Sequence, residues 1–294
     1  MDSIVRKGDQ LREEAERTLN KWSFFNREQK LEDAAELYKK AGAQYKRAER
    51  ATEAADVYRK AADLFLQVNT NHEACMCLVE AAATVKRVSS LEAVGDLRRA
   101  IELYCENNRF GTAARHQKEI AEIFEQDGDQ AAALEAYDQA AALYRGETHS
   151  STQAADCLKK VAELAALQGD YSRGANIFEQ LGSENLGHRT LSFNAKSYFT
   201  NAVLCLLAMQ DAVAAEEKFR SFVERDHNFR GTREEQLISR LIEAVQNRDQ
   251  DAFSQACADF DQISPLDAWK TSVLVVARRG IAIDDEAEEE PDLT

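Results

Sequence analysis

Five histidines, six cysteines and several carboxylate pairs are the residues of this 294-residue chain whose types could do chemistry. Acid–base catalysis needs a titratable side chain within hydrogen-bond reach of its target, and a nucleophilic thiol needs a base beside it. His72, His116, His149, His188 and His227 are scattered, and none forms the zinc motif HExxH. Cys75, Cys77, Cys105, Cys157, Cys205 and Cys257 form no CxxC pair, and most fall at apolar positions of a helical pattern. They read as small buried thiols in a reducing compartment. Cys157 or Cys205 as a nucleophile would need a histidine that the sequence around it does not supply. Glu216-Glu217 and Glu234-Glu235 are adjacent, so neither pair shares a helix face and both read as solvated surface. Gly182-Ser183-Glu184-Asn185-Leu186-Gly187 follows no strand pattern and reads as an interhelical loop, not a phosphate cradle. The chain is expected to catalyse nothing and to hold no cofactor or metal.

The elements that position these residues are helices. Pro265 and Pro291 are the only prolines, and a proline inside a helix costs about 3 kcal/mol, so nearly the whole chain is free to be helical. Net charge is −15, unevenly spread: residues 1–60 carry 14 basic and 12 acidic side chains, whereas the last eleven residues carry seven acids and no base. Such a balance excludes nucleic acid as a partner, because phosphates need a basic face, and it suggests two ends addressed to different surfaces. No signal peptide and no apolar run near the ~18 residues of a spanning helix occur, which predicts a cytoplasmic protein.

A phased pattern recurs about every twenty residues. Ala34-Ala35, Tyr38, Ala41 and Tyr45 return as Ala54-Ala55, Tyr58, Ala61 and Phe65, then as Ala74-Cys75, Leu78, Ala81 and Val85. Later copies are Ala93, Leu97, Ala100 and Tyr104; Ala113, Ala121 and Phe124; Ala133, Tyr137, Ala141 and Tyr144; and Ala154, Leu158 and Ala162. Each unit is one amphipathic helix with small residues where a neighbour approaches and a large one filling the gap. Thr70-x-x-Glu73, Ser89-x-x-Glu92, Ser150-x-x-Gln153 and Thr232-x-x-Glu235 read as capping boxes. Gly128-Asp129 and Gly169-Asp170 each end one helix and cap the next, and Ser264-Pro265-Leu266-Asp267 reads as cap, first-turn proline and early acid. About fourteen helices result. Two units make a hairpin of about 40 residues, longer than the 34 of a tetratricopeptide repeat. The expectation is an all-α, tetratricopeptide-like right-handed solenoid of antiparallel helix hairpins over residues 1–185. A C-terminal helical bundle over 186–283 and an acidic tail over 284–294 complete it.

The repeats, Trp22-Ser23-Phe24-Phe25, Arg109-Phe110-x-x-Ala113-Ala114 and the run Tyr137 to Gly146 together resemble the alpha/beta type of soluble NSF attachment protein. So do Asn194-Ala195-Lys196-Ser197-Tyr198-Phe199, Asp261-x-Ile263-Ser264-x-Leu266-Asp267-x-Trp269 and the ending Asp292-Leu293-Thr294. The likeness runs through the full chain in order. It implies an adaptor, monomeric in isolation, several copies of which surround one assembled SNARE four-helix bundle of the syntaxin and synaptobrevin type. The adaptor recruits and stimulates the hexameric ATPase NSF, which pulls the SNAREs apart after membrane fusion. Peripheral membrane association is implied as well.

The resemblance assigns three sets of residues. Trp22, Phe24 and Phe25 match an apolar membrane-contacting loop; from residue type alone, two aromatics at a helix start read as a core staple. The chain passes directly into Asn26-Arg27-Glu28-Gln29 and lacks the longer loop of the family. Arg109, Arg115, Lys160 and Lys196 match basic positions facing the acidic SNARE bundle, and Leu191 and Phe193 match apolar contacts. Asp156 stands where the family has a further lysine. Asp211, Glu243, Asp292 and Leu293 match the end that engages NSF, with Gln246 and Asn247 in place of expected glutamates. A tetratricopeptide co-chaperone gripping acidic peptides is the rival reading, and it requires a converging clamp of Lys, Asn and Arg that this sequence does not display.

Overall fold

The computed structural model describes residues 2–21, 26–147 and 150–287, the last six of these as backbone alone. Fourteen α-helices and one 3₁₀ turn, with no strand, occur among the described residues. They divide into two compact units, residues 1–154 and 155–294. The first holds α1 (Asp2–Asn20), α2 (Arg27–Arg47), α3 (Ala51–Gln67), α4 (Asn71–Val85), α5 (Ser90–Glu106), α6 (Phe110–Gln126) and α7 (Gln130–Arg145). α8 (Ser151–Leu167) begins there and, from residue 155, belongs to the second unit. That unit adds α9 (Tyr171–Leu186), the 3₁₀ turn Ser192–Asn194, α10 (Ala195–Ala208) and α11 (Ala212–Arg225). It ends with α12 (Arg233–Gln246), α13 (Gln250–Asp261) and α14 (Ala268–Ala287).

One kind of turn recurs in both units. Glu49, Asn69, Asn108 and Gly128 in the first unit take left-handed φ values of 58°, 59°, 54° and 80°, as do Gly169, Gln210 and Arg248 in the second at 89°, 61° and 54°. The next residue's amide reaches back to the carbonyl five residues earlier. Arg50 donates to Tyr45 O at 2.9 Å, Thr70 to Phe65 O at 2.9 Å, Arg109 to Tyr104 O at 2.8 Å and Asp129 to Phe124 O at 2.9 Å. The second unit repeats it with Asp170 to Ala165 O at 2.9 Å, Asp211 to Leu206 O at 3.2 Å and Asp249 to Ala244 O at 2.8 Å. This closure satisfies a carbonyl left over at the helix end. The donating residue is also the N-cap of the following helix. Turns this short leave consecutive helices no choice but to run antiparallel.

The capping expectations hold in part. Ser89 accepts from Glu92 N and Thr232 from Glu235 N, while Asp129 accepts from Ala132 N and Asp170 from Arg173 N. Thr70 does not cap: its hydroxyl turns back and donates to Phe65 O at 3.0 Å, the carbonyl its own amide already holds. α14 starts later than the serine-proline pair suggests, because Asp267 supplies the cap and accepts from Lys270 N at 2.8 Å. Gly182 is not in a loop. It lies inside α9, where a Cβ would sit 2.5 Å from the Phe199 ring, so its missing side chain lets α10 close in.

The phased alanines and aromatics form the core. Ala34, Ala35, Tyr38, Ala41 and Tyr45 are buried, as are their counterparts through α3, α4, α5 and α7. Phe124 is half-exposed instead, and Ile120 and Ile123 occupy the interior of α6. Polar pairs then join helices two apart. Lys46 meets Glu80 at 2.6 Å, Arg99 meets Asp63 at 2.6 Å and Lys86 meets Glu119 at 3.5 Å. Such bridges place α2, α4 and α6 side by side in one layer and α3 with α5 in the other. The firmest bridge is Arg59, whose Nε lies 2.9 Å and Nη2 2.9 Å from the two oxygens of buried Asp96, with Glu92 also in reach at 2.8 Å. Those hydrogen bonds hold the guanidinium charged well beyond its ordinary range.

Glu49 carries a side chain in a conformation that costs an L-residue about 1 kcal/mol. Glu49→Gly is therefore expected to stabilise the fold by roughly 0.5–1 kcal/mol, read as a higher urea midpoint. An unchanged or lower midpoint would contradict the left-handed assignment. Gly182→Ala is expected to destabilise by about 2 kcal/mol through the clash with Phe199.

Candidate functional site

Trp22, Phe24 and Phe25 lie outside the described residues, but the chain on either side of them is anchored. Lys30 of α2 donates to Leu19 O and Lys21 O, both at 3.1 Å, and so closes the C-terminal end of α1.

Arg109 and Arg115 are exposed on the first unit, at the N-cap and in the second turn of α6. One aromatic pair connects them. The Arg109 guanidinium lies 5.8 Å from the centre of the Tyr104 ring, and Tyr104 stacks on His116 at 5.7 Å with an interplanar angle of 11°. Arg115 Nη2 in turn lies 3.4 Å from His116 Nε2, and His116 Nδ1 3.3 Å from Glu119 Oε2. Arginine only donates, so Nε2 accepts and Nδ1 carries the proton that bonds the carboxylate. Arg109 Nη1 likewise bonds Nδ1 of His72 at 3.2 Å. His116 is buried. Both cations are therefore held by rings packed into the array.

In the second unit, Lys160 is half-buried on α8, Leu191 is half-buried before the 3₁₀ turn, and Phe193 stands in that turn 69% exposed. Lys196 opens α10 and is brought to Phe193, its Nζ 5.0 Å from the ring centre. Its side chain is only 17% exposed because Glu234 of α12 approaches to 3.4 Å. The reading of Glu234-Glu235 as a solvated pair is thus corrected. Glu234 is an ion-pair partner, and Glu235 accepts from Gly231 N within the cap of α12. No spacing in the sequence signals the Lys196–Glu234 pair, since the partners are thirty-eight residues apart. Asp156 is exposed one turn before Lys160, and its charge, after burial, helps push the Tyr198 phenol up.

At the other candidate surface, Asp211 caps α11, accepting from Ala214 N at 2.9 Å. Glu243 is exposed in the last turn of α12. Gln246 donates to Glu216 at 2.7 Å, a bond that a second carboxylate at this position could not make. Asp292 and Leu293 lie outside the described residues. Trp269, in the Asp267-x-Trp269 element, has a packing role. Its Nε1 donates to Glu163 O at 3.0 Å and its ring meets Phe178 edge-on at 5.2 Å, which pins the start of α14 to α8 and α9.

The geometry is that of helix hairpins carrying cations held on aromatic rings and acids at helix ends. The family model for soluble NSF attachment proteins, SNAP, matches residues 6–282. The chain is 33% identical to the alpha-soluble NSF attachment protein of Vitis vinifera over 294 residues, 100% of each chain. It is 36% identical to the human alpha-soluble NSF attachment protein over 279 residues, 93% of this chain and 94% of that one. It is also 33% identical over 279 residues to the probable vesicular-fusion protein sec17 homolog of Schizosaccharomyces pombe, 93% of each. The chain belongs to the soluble NSF attachment protein family.

Burial works against Cys77, Cys205 and Cys257 as nucleophiles. Burial pushes Cys77 and Cys205 up to about 12 and Cys257 up to about 11. A raised thiol stays protonated at neutral pH, and only the thiolate attacks. At pH 7.5 an aryl disulfide reagent is expected to leave Cys77 and Cys205 unmodified while reacting fully with the six thiols of the denatured chain. Modification of Cys205 in the folded protein at the rate of a free thiol would contradict its placement in the core.

Proposed function

We propose that this protein is an adaptor that binds assembled SNARE complexes and recruits and stimulates NSF for their disassembly. The observation that carries the reading is the family match across residues 6–282. In this reading Arg109, Arg115, Lys160 and Lys196, with Leu191 and Phe193, meet the acidic SNARE bundle. Phe193 supplies exposed apolar area, and its ring and Glu234 hold Lys196 in place before the partner arrives. Preorganised cations lose less side-chain freedom on binding, and rim charges mainly speed and orient docking. Trp22, Phe24 and Phe25 touch the membrane surface, which raises the local concentration beside membrane-anchored SNAREs. Asp211, Glu243, Asp292 and Leu293 face the ATPase. The chain itself catalyses nothing; the work comes from ATP hydrolysis by its partner.

Pre-assembled SNARE complex, NSF, ATP and this protein are expected to give disassembly that is lost when the protein is left out. Absence of disassembly across several SNARE sets with a matched NSF would overturn the reading. Deleting Asp292 to Thr294 is expected to abolish ATPase stimulation while leaving SNARE binding intact. Lys196→Ala combined with Phe193→Ala is expected to weaken SNARE binding about tenfold, a loss of about 1.4 kcal/mol, measured by equilibrium titration.

A further inference from the structure

A groove with a volume of about 570 Å³ lies between α2 and α4 of the first unit. Its floor is apolar. Tyr58 of α3 lies beneath it, packed so closely against α2 that a Cβ on Gly42 would sit 2.8 Å from the ring. Cys77 of α4 is buried beside the groove, and Ala43 and Met76, both exposed, line it from α2 and α4. Ala43 contributes only a methyl group, which leaves the space above Tyr58 open. Burial pushes the Tyr58 phenol up to about 12, as it does the Cys77 thiol.

The rim is cationic. Lys39, Lys46 and Arg47 of α2 stand around the groove with one acid, Glu80 of α4. Lys46 and Glu80 meet across it at 2.6 Å, while Lys39 bonds Glu36 of its own helix at 3.1 Å. Arg47 has no ion-pair partner among the described residues. Width and polarity select the occupant. A groove that one Lys–Glu bridge spans has no room for a helix of about 10–12 Å diameter. An extended peptide would bring amide groups, and Ala43, Met76 and Cys77 hold no strong partner for them. Amides buried without partners are costly. One hydrocarbon chain is narrow and has no polar group to satisfy.

We propose that the α2–α4 groove binds a single-chain anionic lipid, its hydrocarbon laid along Ala43, Tyr58, Met76 and Cys77 and its head met by Arg47 and Lys46. Charge complementarity selects an anion, since the lining sets three bases against one acid. The head is a carboxylate or a phosphate, both of which accept from a guanidinium and an ammonium. A mostly apolar concavity of this size with a few placed charges is the usual form of a small-ligand site. The unbranched Met76 thioether adapts to the path of the chain. None of these residues is among the SNARE, membrane or NSF contacts proposed above, so the site stands or falls independently of that reading.

Oleate and lysophosphatidate, each below its micelle concentration, are titrated into the full chain by calorimetry. Both are expected to bind one to one and about tenfold more tightly than lysophosphatidylcholine, whose head carries no net charge. Inorganic phosphate, which has no chain, is expected not to bind. Ala43→Trp fills the groove from an exposed position and is expected to abolish oleate binding, with circular dichroism and melting temperature as in wild type. Met76→Glu, a second exposed change, sets a carboxylate beside the chain and is expected to weaken oleate binding about tenfold. Lys39→Gln with Arg47→Gln is expected to weaken oleate binding to a similar degree and to leave lysophosphatidylcholine unaffected. Glu80→Gln frees Lys46 for the head and is expected to tighten oleate binding several-fold. A wild-type chain that binds oleate no better than lysophosphatidylcholine, or does not bind it, overturns the proposal. Full oleate binding by Met76→Glu and by a folded Ala43→Trp overturns the location. Retention in the groove of an acidic helical peptide that oleate does not displace overturns the lipid as its occupant.

Discussion

The fold depends on how closely one helix backbone can approach the next. Alanine pairs such as Ala34-Ala35 and Ala54-Ala55 are fully buried, and aromatic rings lie against bare backbone beside them. A Cβ on Gly8 would sit 2.9 Å from the Tyr45 ring, and one on Gly42 2.8 Å from the Tyr58 ring. Interiors packed to crystal-like density reward such fits and penalise any extra methyl. Because one helix face is kept small and its neighbour supplies the ring, each helix finds its partner one unit along in sequence. Tyr45 is also tied by its hydroxyl to Asp9 at 2.7 Å, and burial together with that bond pushes its phenol up to about 12.

Close approach demands short connections, and the left-handed turn provides them. One residue accepts an unfavourable backbone conformation so that the next can end one helix and begin another. That economy places N-cap residues at the exposed ends of the hairpins. Asp170 and Asp211 are therefore structural caps and surface charges at once, and Arg109 is an N-cap residue with no side-chain capping bond, its guanidinium turned to Tyr104 and His72. Side chains already held at helix ends have little conformational freedom left to lose.

The polar pairs between helices two apart differ in weight. Lys46–Glu80 and Arg99–Asp63 are exposed at both partners and contribute well under about 1 kcal/mol each. Arg59–Asp96 is different, since the carboxylate is buried and takes three hydrogen bonds from the guanidinium, so losing either partner would strand a charge. Lys196–Glu234 lies between these cases. Its value is positional, because it steers an ammonium toward the exposed ring of Phe193.

Helix type, number and phase were written locally. The alanine and aromatic spacing, the scarcity of proline, and the Gly-Asp steps at 128–129 and 169–170 act within a turn or two, and local chemistry suffices to read them. The family was legible for the same reason, because its marks are short ordered motifs. What the chain could not disclose alone are pairings set by packing. His116 against Tyr104, Glu234 on Lys196, Gly182 under Phe199 and Trp269 on α8 all join residues of different helices. Side chains on one helix face meet whatever the neighbouring helix brings, and register between helices is decided by close packing of whole faces. The sequence by itself determined an all-helical repeat scaffold with a near-neutral beginning and an acidic end. Only the tertiary structure decided which cations are held, which acids cap, and which apolar side chains are left facing solvent.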